Sequence, residues 1–179
     1  WFAGLFYLPR IFVNLAEVAP GSHAEYERLL TMARRLMRFT HLLMVPALVL
    51  DDGRWLSQSM AILEYLDETH PEPPLLPRDP QARAQVRALA QDIGCDIHPL
   101  NNLRVLKHIR KTYGLDEEGV NSWYRHWIAE GFRMLEAFLV REGRAGRYCL
   151  GDTPGLADCC LVPQVFNAQR YQCDLTPYP

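Results

Sequence analysis

Gln58 and Ser59 stand where an apolar strand gives way to a helix in the stretch VPALVLDDGRWLSQSMAILEYLDE, Val45 to Glu68. A polar pair at such a junction lies beside peptide N–H groups that have no partner within the helix. Those amides, with the helix dipole behind them, attract a carboxylate or phosphate. Gln58 can both donate and accept, so it can read a neighbouring amide or ammonium. Two readings are open for Ser59: it caps its own helix, which alone contributes about 1 kcal/mol, or it receives an anion. Val45-Pro46 adds a second polar element. An X-Pro bond before a strand is a plausible cis site, and it leaves the N–H and C=O of Val45 to an extended peptide. A backbone edge and a helix N-terminus, about a dozen residues apart, can hold a short peptide by its amide at one end and its carboxylate at the other.

The elements that must position these groups are legible from pattern. The run VPALVL, Val45 to Leu50, is apolar and β-branched as a buried strand should be, and DDG at Asp51 to Gly53 supplies a turn into a returning strand, RWLSQ. A helix follows from Ser59 to about Thr69, with Ile62, Leu63 and Leu66 on one face. Pro71, Pro73, Pro74 and Pro77 stop it and mark a domain boundary, giving domains at 1–76 and 77–179. Asp79-Pro80 then opens a second region, in which Val86, Leu89, Ile93, Ile97, Leu100, Leu103 and Leu106 predict one long helix down to Gly114, bent at Pro99. A further helix begins at Asp116 with the stripe Val120, Trp123, Trp127, Met134, Leu135 and Phe138, and a third spans about Gly155 to Ala168. No strand is expected after Pro80. The chain reads as a small α/β unit followed by an all-helical unit.

Composition narrows the function classes. Of 179 residues, 49% are hydrophobic and 22% charged, and the net charge of −2 gives no global field for nucleic acid or an acidic membrane. The opening WFAGLFYLPRIFV is apolar but lacks a basic leader, and Pro9 and Arg10 interrupt it short of a membrane span. Cys95, Cys149, Cys159, Cys160 and Cys173 form an odd set without metal-type spacing, so reduced, buried, inert thiols are expected and no metal. The expectation is a cytoplasmic enzyme or binding protein.

Three segments together, QSMAILEYL, IHPLNNLRVL and DCCLVPQVFNAQR, closely resemble the zeta-class glutathione transferases, the maleylacetoacetate isomerases, over Val45 to Pro179. The resemblance implies a thioredoxin-like N-terminal domain, an all-α C-terminal domain, a homodimer and glutathione as cofactor. It implies that Val45, before a cis Pro46, pairs with the backbone of glutathione, while Gln58 and Ser59 hold its γ-glutamyl end. It also implies that His98, Asn102 and Arg104 reach the glutathione or substrate pocket, and that Arg170 holds a substrate carboxylate. On the residues alone, other readings stay open. His98 can be a hydrogen-bonded histidine at a helix bend, Asn101 and Asn102 two solvated amides, and Arg170 the partner of Asp174 in a surface ion pair. A guanidinium is nonetheless the best side chain for forked recognition of a dicarboxylate.

The first 44 residues depart from the family pattern. A zeta enzyme has a serine-rich turn after its first strand, one hydroxyl of which steadies the glutathione thiolate, whereas the first serine here is Ser22. PRIFVNL, Pro9 to Leu15, echoes the segment after that turn, which leaves Tyr7 as the hydroxyl in that region. The family carries further helices beyond the point where this chain ends, and Gly155 stands where it has a capping threonine. The activity implied is isomerisation of maleylacetoacetate to fumarylacetoacetate in aromatic amino acid catabolism. The alternatives are isomerisation of maleylpyruvate, glutathione-dependent dehalogenation of an α-haloacid, and a non-catalytic glutathione-binding or dimerisation module.

Overall fold

The computed structural model describes residues 47–143 and 145–179. They fall in two compact units that divide between Pro74 and Leu75.

In the first unit, β1 (Ala47–Val49) pairs antiparallel with β2 (Trp55–Ser57), with Leu48 opposite Leu56. The DDG turn forms as expected: Gly53 takes φ +84°, which suits a residue without a Cβ, and the Leu50 N–H donates to the Arg54 carbonyl at 2.8 Å. Asp52 accepts from the Arg54 backbone and guanidinium at 3.0 and 2.6 Å, and this hydrogen bonding holds its carboxyl below the usual carboxylate range. Helix α1 (Ser59–Thr69) buries Ile62 and Leu63, while Ala47 and Leu48 supply the buried residues of β1.

The second unit is helical. Asp79 caps α2 (Pro80–Gln91) by accepting the Ala82 N–H at 2.7 Å, with Pro80 at the first helical position, where a missing N–H costs nothing. Helix α2 runs into a π-helical turn, Asp92–Ile97, and α3 (Leu103–Tyr113) follows with its own cap, Asn102. Asp116 caps α4 (Glu117–Glu142), and Gly114 and Gly143 end α3 and α4 in the left-handed conformation. The last helix is α5 (Leu156–Arg170). Leu89, Ile97, Ile128, Leu156 and Ala168 lie in the core, α2 packs on α5, and the π turn packs on α4.

Two sequence expectations are corrected here. The single long helix to Gly114 is broken, not bent. The His98 N–H donates five residues back to Ile93 at 2.9 Å, Pro99 has no N–H to continue the ladder, and Asn102 offers a fresh cap. The buried face of α4 is also rotated from the predicted stripe: Tyr124, Ile128, Gly131 and Phe132 are buried with Val120 and Leu135, whereas Met134 is exposed. Gly131 explains the rotation, since a Cβ there would collide with the Ile97 side chain that fills the space. Gly131→Ala is therefore expected to destabilise the fold by about 1–3 kcal/mol through overpacking, measured as a lower urea midpoint. An unchanged midpoint would mean that the Ile97 notch is not tight.

None of the five cysteines forms a disulfide. Cys149 and Cys159 are buried as expected, but Cys95 is exposed, because the π turn carries it to the outer side of the helix. Burial, reinforced by the Asp158 carboxylate, pushes the Cys160 thiol up to about 12 and the Cys149 thiol higher still. Both are therefore protonated at neutral pH. No group of His, Cys, Asp and Glu among the described residues could hold a metal ion, and no described helix is long and apolar enough to cross a membrane.

Candidate functional site

The sequence-predicted residues lie in both units. In the first, Gln58, not Ser59, takes the cap position of α1, and Ser59 is its first helical residue. The turn from β2 into α1 is sharp enough to put Gln58 at φ 71°, ψ 118°, a region that residues other than glycine seldom enter. Strain of that kind costs on the order of 1–3 kcal/mol and persists where the surrounding structure imposes it. Its carbonyl accepts the Ile62 N–H at 3.0 Å, the first bond of the helix, but its side chain caps nothing. Among the described helices, α1 alone begins with neither a side-chain cap nor an acid in its first turn. Gln58 and Ser59 are both exposed there, so the positive end of α1 is open to an anion from outside.

In the second unit, the turn from His98 to Asn102 is pinned to α4 twice. The Trp123 indole N–H donates to the Leu100 carbonyl at 3.0 Å, and the Asn101 amide donates to the Tyr124 carbonyl at 3.3 Å. Asn101 is thus a buried anchor, not a solvated amide, and its Oδ1 has no partner among the described residues. Asn102 caps α3 by accepting the Arg104 N–H at 3.1 Å, which leaves its NH2 group to donate elsewhere. Arg104 is exposed at the start of α3.

The His98 imidazole reaches solvent, yet the atoms packed around its ring disfavour the charged form and lower its pKa from the ordinary 6.5. Because the folded pKa is depressed, the ring is neutral at pH 7 and charges only as pH falls below 6.5. An NMR titration should find its midpoint below that value. A midpoint above it would reveal an unseen carboxylate neighbour.

Arg170 is the last residue of α5 and is exposed. The pairing with Asp174 does not form: that carboxylate accepts instead from the Thr176 N–H at 3.0 Å and hydroxyl at 2.7 Å, which holds it below its usual range. The guanidinium lies 5.8 Å from the Tyr171 ring centre, and Tyr171 stacks on Tyr124 with centroids 3.6 Å apart and planes 7° from parallel. Tyr124 therefore links both groups. Its carbonyl fixes the turn bearing His98 and Asn102, and its ring carries the tyrosine beside Arg170. Sequence reasoning passed over Tyr124, although it stands four residues from both Val120 and Ile128 on the buried face. Tyr7 and Val45, with Pro46, lie outside the described residues.

The sequence model of the family "Glutathione S-transferase, N-terminal domain" matches residues 10–69, taking in most of the stretch that lacks the serine-rich turn. A maleylpyruvate isomerase of Ralstonia sp is 56% identical over 137 residues, 76% of this chain and 64% of that protein. The chain therefore spans a little under two thirds of that relative's length. A probable maleylacetoacetate isomerase of Vibrio cholerae is 41% identical over the whole chain and 83% of its own length. Among solved structures, the holo structure of maleyl pyruvate isomerase, a bacterial glutathione-s-transferase in zeta class, superposes with a TM-score of 0.78 at 46% identity, covering 100% of this chain and 84% of that one.

Proposed function

Because the chain belongs to the zeta-class glutathione S-transferase family, with its thioredoxin-like N-terminal domain and helical C-terminal domain, we propose that it is a glutathione-dependent cis–trans isomerase. Its substrate is maleylacetoacetate and its product fumarylacetoacetate, a step in the catabolism of tyrosine and other aromatic amino acids. The observation that carries this reading is the start of α1, where a strained Gln58 leaves the helix end without a side-chain cap.

The residues fit a γ-glutamyl peptide. The positive end of α1 and the Ser59 hydroxyl suit its α-carboxylate, and Gln58, which can donate and accept, suits the ammonium beside it. Val45 pairs with the peptide backbone. His98, Asn102 and Arg104 are assigned to glutathione by their chemistry: the neutral imidazole and the NH2 of Asn102 can donate, and Arg104 can pair with a carboxylate. Bound glutathione supplies a thiol that adds reversibly to the conjugated double bond and so lets it rotate. The task of Arg170 is to hold a substrate carboxylate in a forked contact, keeping the double bond within reach while charge shifts along the conjugated chain. The protein acts as a homodimer in the cytoplasm.

A second reading, maleylpyruvate as substrate, is favoured by the 56% identity of the Ralstonia relative. Both substrates are cis-unsaturated dicarboxylates, and comparison of kcat/KM for the two separates the readings.

The binding site is tested by calorimetry with reduced glutathione on the protein and on Ser59→Ala. Ser59 is not the cap, and alanine is a good helix former, so α1 should keep its stability. Loss of one hydrogen bond to a charged group should raise Kd about tenfold with the melting temperature unchanged. Equal affinity in the variant would remove Ser59 from the site. No binding by either protein would remove glutathione.

A further inference from the structure

Helix α3 carries Arg104, Lys107, Arg110 and Lys111 and no carboxylate. All four are exposed, and none forms an ion pair with a described residue. At 100° per residue, Arg104, Lys107 and Lys111 fall on one narrow face, opposite the buried Leu106 and Ile109. The row extends about 10 Å along the helix, comparable to the Debye length at physiological salt. It starts beside Asn102 and Arg104, and so leads directly to the residues assigned above to glutathione.

The helix dipole accounts for Arg110 and Lys111, which stand in the last turn near its negative end. It does not account for Lys107 in the middle. The acidic run after Gly114 does not neutralise the row by direct contact: Asp116 accepts the Gly119 N–H at 2.8 Å, and Glu118 pairs with Arg125. In a chain of net charge −2, a helix with four cations and no acid is a local reversal of sign.

We propose that the Lys107–Lys111 face of α3 is an electrostatic guide that raises the rate at which anionic ligands reach the Asn102–Arg104 end of the helix, without touching them once bound. This rests on the reading above that the ligands are glutathione and a dicarboxylate, both net anions. A charged row of this kind acts on association, whereas a direct contact acts on dissociation.

The test is stopped-flow binding of S-(dicarboxyethyl)glutathione, a polyanion that joins the peptide and a dicarboxylate in one molecule, followed by tryptophan fluorescence. The protein is compared with Lys107→Gln/Lys111→Gln and with Lys107→Glu/Lys111→Glu over about 0.01 to 1 M salt. The glutamine variant should associate about three- to tenfold more slowly at low salt, and the glutamate variant more slowly again. The three should converge at high salt with equal dissociation rates. Equal association rates and salt slopes would overturn the guide and leave the isomerase reading standing. Faster dissociation in the glutamine variant would also overturn it, by making the lysines contact residues. Binding by none of the three proteins would overturn the glutathione reading, and the guide with it.

Discussion

Asp158→Ala is expected to lower the unfolding free energy by about 3 kcal/mol or more. The carboxylate is 7% exposed, and it accepts the Cys149 N–H at 2.9 Å and the Gly155 N–H at 2.8 Å. It ties the start of α5 to the loop that precedes it. Alanine leaves two N–H donors without their acceptor, and the penalty for a buried unsatisfied donor exceeds the net value of the bond it lost. Gly155 has no side chain to return the bond, so the Asp158 arm of the capping arrangement stands alone. A side chain at Gly155 would bring its Cβ to 3.2 Å from the Leu75 carbonyl, a tight contact that requires a shift of a few tenths of an ångström. Asp158→Asn keeps one acceptor oxygen and turns an NH2 toward the other donor, so it should fall between the two. Urea unfolding of the three proteins measures the order. A loss below about 0.5 kcal/mol for alanine, the level of an ordinary surface change, would show that solvent replaces the carboxylate.

Arg170→Ala should cost about a hundredfold in kcat/KM for a maleyl dicarboxylate, carried mainly by KM, with glutathione affinity nearly unchanged. A forked, charge-assisted contact is worth about 2–3 kcal/mol, and each 1.4 kcal/mol is about tenfold. The guanidinium is exposed, and Asp174 is engaged by Thr176 instead of by Arg170. Arg170→Lys retains the charge but not the fork and should recover only part of the loss. Steady-state kinetics at saturating glutathione, with calorimetry for glutathione alone, gives both numbers. An equal loss of substrate and glutathione binding would mean that Arg170 supports the fold or the peptide site, not the substrate carboxylate. A fall in stability would implicate the Tyr171–Tyr124 stack that the guanidinium borders.

The hairpin and the order of the helices were legible because each rests on local chemistry. Gly53 and the DDG turn fix the hairpin, the proline run from Pro71 stops α1, and Asp79-Pro80 announces α2. Gln58, Ser59 and Arg170 could be picked out by residue type and motif, but residue type put the cap on Ser59, and only the folded turn moved that position to Gln58.

What the sequence could not decide depended on contacts between elements distant along the chain. Periodicity at three and four residues cannot distinguish a bent helix from a broken one. That was settled by Ile97 seating against Gly131, thirty-four positions later, through a π turn that shifts the register by one residue. The same notch rotated the buried face of α4 toward Tyr124 and left Met134 exposed. Asn101 became an anchor and Arg170 was left without Asp174 for the same reason: a side chain's partner is set by which element packs beside it, and packing is decided by the whole fold. Residue type determined which chemistry this protein can offer, and tertiary packing determined which of those groups are spent on the fold.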